Sequence, residues 1–516
     1  MATSLLPNEH IFVKMLAKRI EEDSLALFAG AGLSISAGYP SWKELLDKTT
    51  FKVSVSNLVK PISVNQVSDL AQYAQYFANF RREDTLKQNI ADYLNSAEMK
   101  SSTLIKRIKR LNFNTIWTTN YDKVIEKLVV DAPEDISVFY REDSLRKINN
   151  TRKVKLFKVH GDVDDSPSIL ITKSELDKER KLMMTFLKRD LVAYNFLFIG
   201  YSFSDQLILK QLRDIRDTLG DAMREHYAII IRNKEDQSFD YFIDDLYHRY
   251  NIVTLVVDDE NNVPEILDAV FRKVRQKNVF ISGSLSNPKP EEGKKAYNFC
   301  KLLVDKLLKK GMRIHSGFGN KIGRYLATGA LFSDNIRGDQ YKFNRKFIMM
   351  PFASQLSEEQ KERHRKSLID ACEFVIFIYG MSSSLRDENA SKTNKKAKFS
   401  NGTREEYDIA LDLNCHVIPV NIEAYESGEI WKELNDLIGE QGADETNADE
   451  NQNTKFEKMM HLKSHMGKLD STQNDDETVT DTICEIISEV IRQQEEKIIA
   501  KQQEKEGEEK KLIPSS

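Results

Sequence analysis

The fold is decided by ten residues, Leu25-Ala-Leu-Phe-Ala-Gly-Ala-Gly-Leu-Ser34. An apolar run comes first, and it breaks into the glycine turn Gly30-Ala31-Gly32. This pattern is typical of a buried strand that opens into a nucleotide-binding loop, because residues without side chains let backbone N–H groups approach a phosphate. Glycine pairs also serve ordinary turns. The assignment therefore depends on polar residues elsewhere in the chain.

The composition indicates a globular protein of a reducing compartment. The chain has 516 residues, enough for roughly two or three domains. Its net charge is −4, so the chain lacks the overall positive charge that favours nucleic acid as a partner. The four cysteines form no Cys-x-x-Cys pair, and we expect neither a bound metal nor a disulfide framework. We find no signal peptide and no apolar run long enough to cross a membrane, so we expect a cytoplasmic protein.

Short apolar runs alternate with helical stretches along most of the chain. This alternation predicts the parallel sheets of an α/β protein. The series restarts at Val279-Phe-Ile-Ser-Gly-Ser284, which repeats the strand-and-turn pattern of the first domain. We predict two Rossmann-like parallel-sheet domains in tandem, over residues 1–275 and 276–492. A polar insertion is predicted near residues 441–477, and a charged C-terminal tail over residues 493–516.

Polar residues follow four predicted strands of the first domain. They stand in the segments Gly30–Ser34, Thr118–Asp122, Val159–Asp162 and Gly200–Asp205. Because the carboxyl ends of parallel strands lie along one edge of a sheet, we expect the four segments to meet there.

The residue types in these segments suit a nucleotide. The Asn120 amide matches ribose hydroxyls or a carboxamide, and Asp122 offers a carboxylate to a carboxamide NH₂. His160 can accept a ribose proton, and Ser202 offers a hydroxyl to a phosphate. Each residue alone also fits a structural role, as a helix cap or a loop histidine. Their combination with the glycine turn favours a nucleotide site.

The four segments resemble the NAD-binding core of the sirtuin family, whose motifs run Gly-Ala-Gly-x-Ser, Thr-x-Asn-x-Asp, His-Gly and Gly-Thr-Ser. The resemblance covers about residues 10–275 and implies that Asn120 and His160 are catalytic. It also implies a set of residues that bind the dinucleotide, which comprises Gly30, Ala31, Gly32, Ser34, Asp122, Gly200 and Ser202. Tyr201 stands where the family usually has a phosphate-contacting threonine.

One departure from the sirtuin pattern bears on the reaction. A deacylating sirtuin carries a four-cysteine zinc module between its His-Gly and Gly-Thr-Ser motifs, whereas this chain has no cysteine between His160 and Gly200. We therefore expect water to trap the oxocarbenium-like ribosyl species, which gives nicotinamide and ADP-ribose. The alternative is an NAD-dependent protein deacylase.

The second domain repeats small residues at its predicted strand ends. Its segment Gly402–Glu406 resembles the Gly-Thr-x-x-Glu half of a motif in the SLOG nucleotide-binding family. The Pro-Gly-Gly half of that motif is absent, which favours binding over phosphoribohydrolase activity. A surface charge at Arg365 and a helix start at Glu406 are the structural alternatives. The predicted ligand-binding set is Gly283, Ser284, Gly317, Gly319, Gly323, Arg365, Gly402, Thr403 and Glu406.

A zinc-less sirtuin-like domain followed by a SLOG domain resembles the effectors of the Thoeris antiphage systems. The resemblance implies an NAD hydrolase that is activated when a cyclic ADP-ribose isomer binds to the SLOG domain, and that depletes NAD during infection. It also implies a homo-oligomer, a tetramer or larger. A non-enzymatic nucleotide-sensing scaffold is a further alternative to hydrolysis and deacylation.

Overall fold

The computed structural model describes most of the chain and divides it into two compact units, residues 1–273 and 274–516. The boundary falls within one helix, Asn262–Arg275. The described residues are 8–50, 62–130, 135–146, 154–178, 180–350, 356–381, 401–423, 425–440 and 462–512. Much of the predicted polar insertion, residues 441–461, lies outside them.

The first unit is built on one sheet of seven strands. The strands are β1 Leu25–Ala29, β2 Thr115–Thr118, β3 Ile136–Phe139, β4 Val154–Lys158, β5 Asn195–Ile199, β6 His226–Ile231 and β7 Ile252–Val257. Their order across the sheet is β3-β4-β2-β1-β5-β6-β7, and all neighbours are parallel.

Strand β1 is apolar throughout because both faces of the sheet are covered. Leu25, Leu27 and Ala29 pack into the core on one face, whereas Ala26 and Phe28 pack into the core on the other. Successive side chains of a strand point to opposite faces, so a central strand with two buried faces needs a continuous apolar run.

Helices connect these strands and supply the two covering layers. The helices of the first unit are α1 Glu9–Glu21, α2 Ala31–Ser36, α3 Trp42–Thr49, α4 Leu70–Arg81, α5 Glu83–Ser96, α6 Thr103–Leu111, α7 Glu142–Leu145, α8 Lys173–Leu176, α9 Lys181–Ala193, α10 Gln206–Leu219, α11 Phe239–Tyr250 and α12 Asn262–Arg275. Short 3₁₀ or π turns lie at Val64–Gln66, Ile125–Val129, Ser166–Ser168 and Gly220–Ala222.

The second unit has a sheet of five parallel strands. They are β8 Asn278–Ser282, β9 Arg313–Ser316, β10 Phe347–Met349, β11 Phe374–Phe377 and β12 His416–Pro419, in the order β10-β9-β8-β11-β12. Its helices are α13 Pro290–Lys309, α14 Ile322–Phe332, α15 Gln340–Lys346, α16 Glu358–Asp370, α17 Asn401–Asp412, α18 Glu426–Glu440 and α19 Asp476–Leu512. Two parallel-only sheets confirm the predicted tandem of Rossmann-like domains.

Each sheet has a point where the direction of its strand order reverses. In the first unit this point lies between β1 and β5, and in the second unit it lies between β8 and β11. Open α/β sheets bind their ligands in the crevice outside the carboxyl ends of the strands at such a point. The glycine turn after β1 stands at the first of these points.

The segment before α19 packs on the second sheet. Leu462, Met466 and Leu469 are buried in its core, and Asn421 and Asp470 form an isolated parallel bridge. These residues fall in the part of the predicted insertion that the structure describes. Helix α19 then continues into the charged C-terminal region.

Candidate functional site

The loop after β1 lies directly against the loop after β5. Gly30 N–H donates to the Ile199 carbonyl and Gly32 N–H donates to the Gly200 carbonyl, each over 2.9 Å. A Cβ added to Gly32 would lie 2.7 Å from the Gly200 Cα, too close for any side chain. The φ angle of Gly30 is −100°, so the turn does not need a positive φ there. Close approach of the two loops therefore explains the glycines.

Asn120 joins the loop after β2 to this glycine turn. Its Nδ2 donates to the Gly30 carbonyl and to Ser34 Oγ, both over 2.8 Å. Ser34 Oγ donates in turn to Asp122 Oδ2 over 2.6 Å, and the other Asp122 oxygen accepts from Val124 N–H. Ser34 and Asp122 are both buried. These bonds bring four of the predicted site residues into one network. The two bonds from Asn120 use its side-chain nitrogen and not its side-chain oxygen.

His160 lies in the loop after β4 and faces a carboxylate from the loop after β5. The distance from His160 Nε2 to Asp205 Oδ2 is 2.6 Å, and only 9% of the His160 side chain is exposed. Asp205 Oδ1 accepts from Leu207 N–H and caps α10. Burial raises the pKa of Asp205, but the His160 ring and the backbone N–H groups of α10 outweigh it and hold that pKa below its usual value.

Lys158, at the end of β4, ties the loop after β2 to the loop after β4. Its ammonium group donates to the carbonyls of Tyr121 and Asp122 and lies 2.8 Å from Asp162 Oδ2. Only 1% of the Lys158 side chain is exposed, and a buried charge needs such partners. This buried cation therefore helps to hold together the loops that carry Asn120 and His160, as does the ion pair between Lys123 and Asp162.

Asp205 and Lys158 were not among the residues predicted for the site. For Lys158 the available signal was a lysine at the end of the strand Val154–Lys158. For Asp205 it was a carboxylate at a helix start, five residues after Gly200. Both signals are weak alone, because the first also fits a strand end and the second an ordinary helix cap.

Two residues of the loop after β5 have different surroundings. The Tyr201 ring packs against Phe28 and Phe203, with ring centroids 4.8 and 5.0 Å away, and its buried hydroxyl has no hydrogen-bond partner in the part of the chain that the structure describes. Ser202 is exposed, and its hydroxyl pairs with that of Ser204 over 2.8 Å. Ser202 is thus at the site edge without joining the Asn120 network.

The strand-end loops of the second unit are also in close contact. Gly283 packs against the Ile378 carbonyl, and Gly319 packs against the Gly283 carbonyl. The N–H groups of Gly380 and Met381 both donate to the Ser284 carbonyl over 3.0 Å. Gly323, in the first turn of α14, lies against the Phe318 backbone, and Gly317 is buried directly after β9.

Three bulky residues in these loops have left-handed backbone angles. The φ angles of Phe318, Lys321 and Tyr379 are 57°, 55° and 56°. Such angles are uncommon for residues with large side chains and cost free energy, and they concentrate at functional sites. All three lie at the carboxyl edge of the second sheet, where the ligand-binding set is predicted.

Glu406 is the buried carboxyl group at this edge. Ser282 Oγ donates to Glu406 Oε2 over 2.5 Å, and Arg365 Nε lies 3.8 Å from Glu406 Oε1. Burial raises the pKa of Glu406 to about 7, although Ser282 and Arg365 act in the opposite direction. Arg365 also pairs with Glu405, and 11% of its side chain is exposed. The predicted Arg365 and Glu406 are therefore close neighbours, and Ser282 adds to them.

The remaining predicted residues of this set lie on α17. Thr403 is buried, and its side chain lies beneath Gly380, whose added Cβ would stand 3.2 Å from Thr403 Cγ2. Gly402 stands one residue earlier, in the first turn of the helix.

The described residues contain no group of three or more His, Cys, Asp and Glu side chains that could hold a metal ion. Within the same residues, no helix has the length and apolar character needed to cross a membrane.

Two family patterns match this chain. Residues 114–255 match the SIR2-like domain, and residues 262–490 match the Sir2- and TIR-associating SLOG family.

Two curated proteins with similar sequences have the same activity in their names. The chain is 30% identical over 452 residues to the NAD(+) hydrolase ThsA of Bacillus cereus (strain MSX-D12). The aligned region covers 83% of this chain and 90% of that protein. It is 28% identical to the NAD(+) hydrolase ThsA of Cytobacillus dafuensis, over 83% of this chain and 89% of the relative. A 24% identity to the defense-associated sirtuin 2 of Bacillus subtilis covers 52% of this chain and 27% of that protein.

Proposed function

The chain belongs to the ThsA family of NAD(+) hydrolases, and on that premise we propose that Asn120 and His160 cleave NAD under the control of a cyclic ADP-ribose isomer bound by the second unit. The protein is an NAD glycohydrolase of the sirtuin-like type, joined to a SLOG domain, and NAD is its substrate. It hydrolyses NAD in defence.

The reaction breaks the bond between ribose C1′ and the nicotinamide nitrogen. The bonding electron pair leaves with nicotinamide, which becomes neutral, and a water oxygen bonds to C1′ and loses a proton. The protein has to position the ribose and accept that proton. Asn120 is suited to the ribose hydroxyls through its amide oxygen, which neither of its hydrogen bonds to Gly30 and Ser34 uses, and His160 is suited to the proton.

The observation that carries this assignment is the hydrogen-bond network around Asn120. A side chain that donates to both Gly30 O and Ser34 Oγ is fixed in one rotamer, with its carbonyl end directed away from those partners. Such fixed polar groups stabilise a transition state without reorganising. Gly32, Ala31, Gly200, Asp122 and Ser202 complete the proposed dinucleotide site along the same sheet edge.

We place the activating nucleotide at the carboxyl edge of the second sheet. A guanidinium group is suited to the phosphates of a cyclic ADP-ribose isomer, and a carboxyl group is suited to its ribose hydroxyls. Arg365 and Glu406 offer that pair side by side, and we add to the proposed pocket the small residues of the neighbouring strand-end loops, Gly283, Ser284, Gly317, Gly319 and Gly323. Thr403 and Gly402 complete the proposed pocket.

The family resemblance extends the proposal to the assembly. We expect a cytoplasmic homo-oligomer, a tetramer or larger, in which the activator alters the access of NAD to the first site. Light scattering on purified protein with and without the activator tests the oligomeric state.

An NAD-consumption assay tests the proposal. Full-length protein is incubated with NAD and with each cyclic ADP-ribose isomer in turn, and released nicotinamide is quantified without any acylated peptide. We expect release with one isomer and much less without it. Unchanged NAD with every isomer, and with extract from infected cells, would contradict hydrolysis under nucleotide control.

The same assay separates the alternatives. A dependence of nicotinamide release on acyl-lysine peptide would support a deacylase, and nucleotide binding without any turnover would support a scaffold. Asn120→Ala should stop release, whereas the exposed Asn233→Ala is the matched control and should behave like the wild type.

A further inference from the structure

The contact between His160 and Asp205 raises a question about which ring nitrogen carries the proton. Nε2 lies 2.6 Å from the Asp205 carboxylate, and Nδ1 is buried without a hydrogen-bond partner among the described residues. Asp205 is ionised at neutral pH because the His160 ring and the α10 amides hold its pKa low against the effect of burial. An ionised carboxylate accepts only, so the proton of a neutral imidazole lies on Nε2.

We propose that Asp205 is a positioning residue that fixes the tautomer of His160, so that Nδ1 is the nitrogen that takes the proton released during NAD hydrolysis. This inference rests on the function proposed above. As the water oxygen bonds to C1′ and the C1′–nicotinamide bond breaks, the proton that water loses passes to Nδ1, directly or through a ribose hydroxyl. The imidazolium that forms is stabilised by the Asp205 carboxylate at its other nitrogen.

The unpaired Nδ1 supports this assignment. A buried acceptor without a partner costs free energy, and native proteins usually satisfy such atoms. A proton supplied by substrate or water removes that cost during the reaction. The backbone that carries the ring is held in place, since the Val159 carbonyl accepts from Arg180 and the His160 carbonyl accepts from Leu170 N–H.

Asp205 is itself rigid, which a positioning residue requires. Its Oδ1 accepts from Leu207 N–H at the start of α10, so one oxygen caps the helix and the other meets His160. Asparagine and serine are also good helix caps. Both replacements therefore keep the cap and remove the negative charge, and asparagine in addition presents an NH₂ group to Nε2.

Four other ionisable groups near the pair do not change their charge over the pH range of an activity measurement. Burial raises the pKa of the phenols of Tyr121 and Tyr201, so both stay neutral. Asp162 stays ionised because Lys158 and Lys123 outweigh the effect of burial on its pKa. Arg180 stays cationic, although burial lowers its pKa. These four groups therefore do not contribute to the acid limb of a pH profile.

The experiment compares activated wild-type protein with Asp205→Asn and Asp205→Ser. We expect kcat to fall by about 10²- to 10⁴-fold in Asp205→Asn, because the amide favours the wrong tautomer, while KM for NAD stays within about threefold. In Asp205→Ser we expect a smaller loss, and an acid limb that moves to lower pH because no carboxylate stabilises the imidazolium. Asp69→Asn is the matched control, since Asp69 caps α4 through the same kind of bond and faces no histidine in the described structure.

The outcomes separate this inference from the proposed function. Wild-type protein that releases no nicotinamide with any activator would contradict the function itself. An active wild type combined with unchanged kcat in both Asp205 variants, or with an unshifted acid limb in Asp205→Ser, would overturn the role of Asp205. An equal loss in Asp69→Asn would also overturn it, because a capping effect would then explain the result.

Discussion

The two sheets have the same geometry at the point where their strand order reverses, but they hold different chemistry there. In both units a glycine after the central strand lies against the backbone of a neighbouring strand-end loop, at Gly32 and at Gly283. In the first unit, side chains of the strand-end loops form two hydrogen-bonded groups, one around Asn120 and one between His160 and Asp205. In the second unit, three bulky residues have left-handed backbone angles, whereas Phe203 has such an angle in the first unit, and a cation faces a buried carboxyl group.

This difference separates a site built for a reaction from a site built for binding. Proton transfer and ribose positioning need side chains whose rotamers are fixed, and Asn120 and His160 each have a partner that fixes them. Recognition of a nucleotide needs a complementary charge, and we propose that Arg365 supplies it. On this basis we propose that turnover belongs to the first unit and control to the second.

The largest effect is expected for Asn120→Ala. The change removes the hydrogen bonds to Gly30 and Ser34 and the amide that we propose faces the ribose, so nicotinamide release should fall by about 10³-fold. Binding of the activator to the second unit should be unchanged. Full activity in this variant would show that neither Asn120 nor its hydrogen-bond network takes part in catalysis.

Glu406→Gln tests the buried carboxyl group of the second unit. The pKa of Glu406 is raised to about 7 from an ordinary value of 4.5, so its protonated form favours folding and this contribution is lost as the pH rises from 4.5 through 7. The loss is on the order of 3 kcal/mol. Denaturant unfolding across that pH range should show a smaller decline in Glu406→Gln, whereas Glu362→Gln, at an exposed position of α16, should resemble the wild type.

Arg365→Ala tests the cation of the second unit. Loss of a charged contact to phosphate should raise the activator concentration needed for half-maximal NAD hydrolysis by about 30-fold, which corresponds to about 2 kcal/mol. Arg363→Ala, on the same helix and 71% exposed, is the matched control. An unchanged response to the activator would place the nucleotide elsewhere.

The smallest effect is expected for Ser202→Ala. Its hydroxyl is exposed and pairs with Ser204, so we expect kcat and KM within about threefold of the wild type. Ser34→Ala is the comparison, because Ser34 Oγ links Asn120 to Asp122 inside the network. A large loss in Ser202→Ala would show that the loop after β5 contacts the dinucleotide more closely than the Asn120 network does.

The fold could be predicted from the sequence because apolar runs of strand length recur between helical stretches. The partners of individual side chains could not. The glycine turn was predicted to serve a phosphate, yet Gly30 and Gly32 donate to the carbonyls of Ile199 and Gly200, some 170 residues away in sequence. The role of Asp205 could not be predicted either. The contact that distinguishes it from an ordinary helix cap is made with His160, which lies on another strand-end loop.

The most direct test of the two-site account measures activator binding and nicotinamide release side by side in Asn120→Ala and Arg365→Ala. Calorimetric titration with the activating cyclic ADP-ribose isomer should give wild-type affinity in Asn120→Ala, which releases no nicotinamide above background. Arg365→Ala should bind the isomer more weakly and reach the wild-type kcat when the isomer is saturating. Loss of isomer binding in Asn120→Ala, or wild-type isomer affinity in Arg365→Ala, would contradict the account.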